Sequence, residues 1–338
     1  MRRNGTLRLL GWIGGGLTLL GAAYLLASQI SPWPGALLIR WAFDADAHRV
    51  SRALAEHVPS GVAAQLNQHY GAPQDADTTL DVFYPAALER GGGVLPTIVW
   101  LHGGAWISGS KLQIANYAKI LAGHGYTVVG LNYSLAPAQH YPTPVRQANQ
   151  ALAYLTANAA RLHVDAAHLL LAGDSGGAHI AAQTANVITS PAYARLLHIA
   201  PAITPGQLQG MILYCGPYDT RLIERAPRDF FLRTVLWAYS GHRDFATDPT
   251  FATAAVIDYL SGAFPPSFIS VGNGDALAGQ SHALAARLRQ LGVPVETLFF
   301  PSGYRPQLAH EYQFNLDLPA AHTALERSLA FIGERVRR

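Results

Sequence analysis

The stretch Leu169–Gln183, "LLLAGDSGGAHIAAQ", constrains the fold more than any other part of the chain. An apolar run, Leu169–Ala172, reads as a strand, and Ala178–Ile188 reads as a helix. Between them stands Gly173-Asp174-Ser175-Gly176-Gly177. A strand, then Gly-x-Ser-x-Gly, then a helix is a nucleophile elbow. The turn is so tight that a side chain two residues either side of the serine would strike the neighbouring strand or helix, which accounts for Gly173 and Gly177. Ser175 is then held in strained geometry with its hydroxyl above the sheet. The helix behind it turns free N–H groups and its positive dipole end toward the same place. The alternative frame for such a serine, an all-β protease, requires the chain order His, Asp, Ser. Here the serine is mid-chain, and the upstream His102 is set among glycines. A near-copy at Gly279-Gln280-Ser281-His282-Ala283 lacks the second glycine and a preceding strand, so Ser281 reads as a helix-start residue.

The rest of the chain repeats the alternation. Short apolar or β-branched runs lie at Thr79–Tyr84, Thr97–Leu101, Thr127–Leu131, Met211–Tyr214, Phe268–Val271 and Val295–Phe300. Helical patterns lie between them, as at Val145–Asn158 and Ala283–Leu291. Near-continuous apolar strands alternating with helices predict an α/β fold, a mostly parallel sheet covered on both faces. Residues 31–338 are expected to form this single domain, with Gly35–Gly71 as helical turns and loop. Gly216 to Pro266 is too long for a plain strand–helix connection. Its aromatics, among them Phe230, Phe231, Trp237, Tyr239, Phe245 and Phe251, predict a helical cap whose rings line an apolar pocket, since sites on such sheets open at the strands' C-terminal ends.

A serine nucleophile needs a base, an orienting carboxylate and donors for an oxyanion. Strand Thr97–Leu101 ends in His102-Gly103-Gly104-Ala105-Trp106, a turn whose glycines let backbone N–H groups approach a ligand. Gly103, Gly104 and Gly176 are the candidate oxyanion donors. His102 and Asp174 read as hydrogen-bonding groups that shape the loop and the elbow. The acid should follow a strand downstream of the serine and precede the base. Asp275 does so, after Gly272-Asn273-Gly274, with Asp219 as the runner-up. The base should lie beyond the last strand, where "PSGYRPQLAHEYQF" supplies His310.

At this point the chain resembles the α/β-hydrolase fold, and within it the hormone-sensitive-lipase-like esterases. The resemblance runs from about Leu80 onward and rests on "HGGAW", "GDSGGAH" and "VGNGDALAGQSHALAARLRQLGVPVE". It implies carboxylic-ester hydrolysis through an acyl-enzyme, with Ser175, His310 and Asp275 as the relay and no metal or organic cofactor. Ala105 stands where the family often has a third glycine, and its N–H remains available. Amide, peptide or arylformamide cleavage on the same scaffold, and a non-catalytic interaction protein, are the alternatives.

The N-terminus adds a location. Arg2, Arg3 and Arg8 precede Leu9–Ile30, a stretch of 22 residues with no charge. As a helix it would span roughly 33 Å, enough for a hydrocarbon core of ~30 Å. Residues 1–30 are therefore expected to be a transmembrane anchor, with the catalytic domain outside the cytoplasm. A cleaved signal peptide, releasing the domain to the periplasm or medium, fits the small-x-small site Gly21-Ala22-Ala23. The net charge of +3 is spread along the chain, which excludes a nucleic-acid partner. The expected partner is a small apolar ester, and no pattern sets an oligomeric state. A single cysteine, Cys215, excludes an internal disulfide and a multi-cysteine metal site.

Overall fold

The structure is a computed structural model and describes residues 21, 24–72, 74–219 and 229–337. Eight strands form one sheet in the order β1-β2-β4-β3-β5-β6-β7-β8. They are β1 (Val62–His69), β2 (Thr79–Pro85), β3 (Leu95–Leu101), β4 (Thr127–Leu131), β5 (Val164–Asp174), β6 (Leu208–Tyr214), β7 (Ser267–Val271) and β8 (Val295–Phe299). The β1–β2 and β2–β4 pairings are antiparallel, and every pairing from β4 to β8 is parallel. Each of the seven runs expected as strands is one. The eighth, β1, falls in a segment read as turns and loop. Its sequence, VAAQLNQH, is half exposed and poor in β-branched residues, so it carries little strand signal of its own. Pairing with β2 makes it a strand.

The longer helices are α1 (Trp33–Leu54), α2 (Lys111–Gly123), α3 (Thr143–Ala157), α4 (Ser175–Thr189), α5 (Phe230–Ser240), α6 (Ala278–Gln290) and α7 (Pro319–Val336). Two apolar cores lie against the sheet. One joins Val99, Leu101, Val129 and Leu171 to α3 and α4, and the other joins Ile98, Trp100, Leu170 and Ile212 to α2 and α7. Both faces are thus covered, as near-continuous apolar strands require. Every residue of α4 is buried. A helix buried on every side, its polar residues His179, Gln183, Thr184 and Asn186 included, has little room to move, so this one can hold Ser175 rigidly.

α1 is longer than the sequence reading allowed. Pro34 sits in its first turn, where no backbone donor is lost, and no β-branched run interrupts it. Arg40 fastens it to the sheet's C-terminal edge, donating through Nη2 to the Ala136 carbonyl at 2.9 Å and through Nε to that of Ile107. Asp44 accepts from Gly109 N–H and Gln113 Nε2 at 3.2 and 3.1 Å. The expected N-terminal anchor or signal lies largely outside the described residues. Among those described, no helix is long and apolar enough to cross a membrane.

Candidate active site

Ser175 opens α4 directly at the end of β5, with φ at +48°. That left-handed value costs a serine energy and is the strain expected of the elbow. A Cβ on Gly173 would lie 2.6 Å from the Gly177 carbonyl carbon, and one on Gly177 would run into the Leu101 carbonyl oxygen. Both glycines are needed for the reason the spacing suggested.

Three residues distant in sequence meet at this turn. His310 Nε2 lies 2.9 Å from Ser175 Oγ, and His310 Nδ1 lies 2.8 Å from Asp275 Oδ2. Asp275 follows β7, and its other oxygen accepts from Leu277 N–H at 2.8 Å, so the carboxylate cannot swing away. Asp219 sits on a neighbouring turn, its N–H and carbonyl both bonded to the Gln280 side chain. Ser281 is buried inside α6, away from the cluster.

Burial pulls the His310 imidazolium down. The Cys215 sulfur and the Asp275 and Glu311 carboxylates outweigh it, and the group stands well above ordinary histidine. His102 behaves differently. It stacks on Tyr133 at 4.3 Å, bonds the Gly103 carbonyl through Nδ1, and is pushed by burial to about 4. It is neutral and fixed, a wall of the loop rather than a proton carrier.

The oxyanion loop departs from expectation at one residue. Gly103 N–H donates to Asp174 Oδ2 at 2.7 Å and is not free to meet a ligand. Asp174 Oδ1 accepts from Trp100 Nε1 at 2.7 Å, so this carboxyl stitches β3 and the loop to the elbow. Gly104 and Ala105 N–H have no hydrogen-bond partner among the described residues. Ala105 has a φ of +52°, and its Cα would lie 3.5 Å from a Cβ placed on Gly176, so the loop and the start of α4 converge here. The N–H of Gly176, in the first turn of α4, has no acceptor within the helix.

Glu311 escaped the sequence reading, although it adjoins His310. It is held at a φ of +57°, with Oε1 3.7 Å from His310 Nε2. Its charge, added to burial, raises Asp174 well above the usual carboxylate range.

A cavity of about 260 Å³ opens over Ser175 and His310. Its apolar wall is Phe43, Ala47 and Val50 of α1 with Ile114 and Phe314. The described part of 216–266 contributes no residue to it. Of the aromatics expected to line the pocket, Tyr239 and Phe251 are instead packed behind the oxyanion loop, with Tyr239 stacked on Trp106 at 4.5 Å and Phe251 buried beside it, whereas Phe230 is exposed and Phe231 packs against Phe43 at 5.6 Å. Tyr239 and Phe251 satisfied the core first. The amphipathic α1, whose inward face had no clear signal in sequence, supplies the pocket wall.

Among the described residues, Cys215, Asp275 and His310 bring ligand atoms within 4.8 Å of one another and could hold an ion. Burial pushes the Cys215 thiol up, which disfavours the thiolate that metals take. Asp275 and His310 already engage each other. The set suits proton transfer better than ligation.

A serine on a strand–helix elbow at the C-terminal edge of a mostly parallel sheet defines the class, an α/β hydrolase. A family profile for the α/β-hydrolase fold matches residues 98–305. The chain belongs to that family, in its hormone-sensitive-lipase-like branch. It is 30% identical over 262 residues to carboxylesterase NlhH of Mycobacterium tuberculosis, covering 75% of this chain and 77% of the relative. It is 27% identical over 215 residues to a putative α/β hydrolase of Acanthamoeba polyphaga mimivirus, covering 60% of this chain and 58% of that protein's length. The structure of esterase B from Lactobacillus rhamnosis superposes with a TM-score of 0.75 at 26% identity, over 89% of this chain and 97% of the other.

Proposed function

We propose that the protein hydrolyses carboxylic esters through an acyl-enzyme on Ser175. The contact that carries this reading is the unbroken path from Ser175 Oγ through His310 to Asp275, at 2.9 and 2.8 Å. His310 takes the hydroxyl proton as Ser175 attacks the ester carbonyl, and then protonates the departing alcohol. Water repeats the steps on the acyl group. Asp275 fixes the tautomer and steadies the imidazolium. Gly104, Ala105 and Gly176 replace the expected set as oxyanion donors, because Gly103 N–H already serves Asp174. Each such donor is worth ~2.7–4 kcal/mol of barrier. The named esterases among the relatives support an ester rather than an amide substrate. The charge-free N-terminal stretch supports export or tethering at a membrane.

The test is turnover of short-chain 4-nitrophenyl esters by the native protein and by Ser175→Ala. The expected loss is at least ~10³-fold, with circular dichroism unchanged. Equal rates for the two proteins would overturn the assignment.

A further inference from the structure

Among the described residues, one side of α1 is largely uncovered. Trp33, Leu37 and Trp41 recur every four residues and so share one side of the helix. All three are exposed, Trp41 at 72%. Leu26 and Ile30, also four apart in the helical stretch just before, are 70% and 82% exposed. A folded protein in water seldom leaves so long an apolar strip uncovered. The strip stops at Trp41, and Asp44 and Asp46 follow.

The sequence on its N-terminal side indicates what covers it. Leu9–Ile30 carries no charge and is long enough to enter hydrocarbon. It ends three residues before Trp33, so α1 begins at the level where such a stretch would leave the lipid. Tryptophans at both ends of the strip, with aliphatic residues between, match the boundary between headgroups and acyl chains. The adjoining side of the same helix lines the pocket with Phe43, Ala47 and Val50.

We infer that the outer face of α1, from Trp33 to Trp41, rests on a lipid bilayer and sets the pocket beside it, so that the enzyme draws ester substrates dissolved in the membrane. The lipid-ester substrate class rests on the hydrolase reading above. The docking itself does not. The helix lies in the plane of the interface with its apolar side down, and the exposed Asp46 and Arg49 of its far half stay in water. Only the substrate's ester has to pass the helix, and the apolar wall receives its acyl chain.

The full-length protein on phosphatidylcholine vesicles tests this with two substrates, water-soluble 4-nitrophenyl acetate and a long-chain diacylglycerol carried in the vesicles. Leu37→Glu/Trp41→Glu is expected to keep the first rate within about twofold and lose at least about tenfold of the second. An undiminished vesicle rate would overturn the inference. So would a lipid-free dimer of the native chain that the double variant abolishes, because a second copy would then cover the strip. Trp41→Phe supplies a milder check. Phosphatidylcholine brominated high on its acyl chains should quench the native fluorescence more than that of this variant, and equal quenching would count against docking. Absence of turnover on 4-nitrophenyl acetate by the native protein would sink the hydrolase reading and leave the quenching result to decide the docking.

Discussion

At the scale of single residues, the site is set by carboxyl groups competing for one histidine. The Cys215 sulfur, Asp275 and Glu311 all favour the charged imidazole, which therefore stands above ordinary histidine. In the proposed mechanism His310 acts as base only in its neutral form, so kcat/KM should fall as pH drops through this raised value. Glu311→Gln removes one charge that favours the imidazolium. Its acid limb is expected to move to lower pH, with the Asp275 contact retained and the basic side unchanged. A pH–rate profile on a neutral ester checks this, and a limb that stays in place or moves upward would show that Glu311 does not face the imidazole in solution. That Ser175, His310 and Asp275 would meet could be read from sequence because the fold dictates their order and the strands locate them. Glu311 could not be, because its importance comes from a left-handed turn that points it back at its neighbour. The engagement of Gly103 N–H was hidden for a similar reason. Spacing shows that an N–H is nearby, and only the folded position of Asp174 shows that it is already engaged.

Among the elements, the strands were readable because burial on both faces leaves them continuous apolar runs. The edge strand β1 and the helix α1 were not, since each is half exposed and takes its conformation from what it packs against. α1 matters most here, because it closes the pocket while holding to the domain through few polar contacts. Arg40 is the main one, with two backbone carbonyls as acceptors. Charged hydrogen bonds of this kind contribute ~1.5–3 kcal/mol. Arg40→Met should therefore loosen α1 more than the domain, raising KM for esters with little change in kcat. Steady-state kinetics with faster amide exchange over residues 33–54 would report it, and unchanged KM and exchange would show that packing alone seats the helix.

For the molecule as a whole, two cores on either side of one sheet are the main support, and one charged pair is buried at its margin. Lys111 at the start of α2 meets Asp81 of β2, with both side chains almost wholly out of water. Lys111 also reaches Asn67 Oδ1 of β1 at 2.6 Å, so one ammonium joins three elements. Removing one partner of such a pair strands the other charge, at a cost of ~3–5 kcal/mol. Lys111→Met should lower the urea midpoint accordingly, with the denaturant slope unchanged and the surviving folded fraction still active. A midpoint within experimental error of the native one would mean that water relieves the aspartate. The sheet's order has a further consequence. The proposed nucleophile stands on the fifth strand, while its acid and base come from turns behind the seventh and eighth. A polypeptide still emerging from the ribosome therefore displays an elbow with nothing to deprotonate it. Whatever esters it meets in transit are safe from it until the final edge of the sheet has zipped into place.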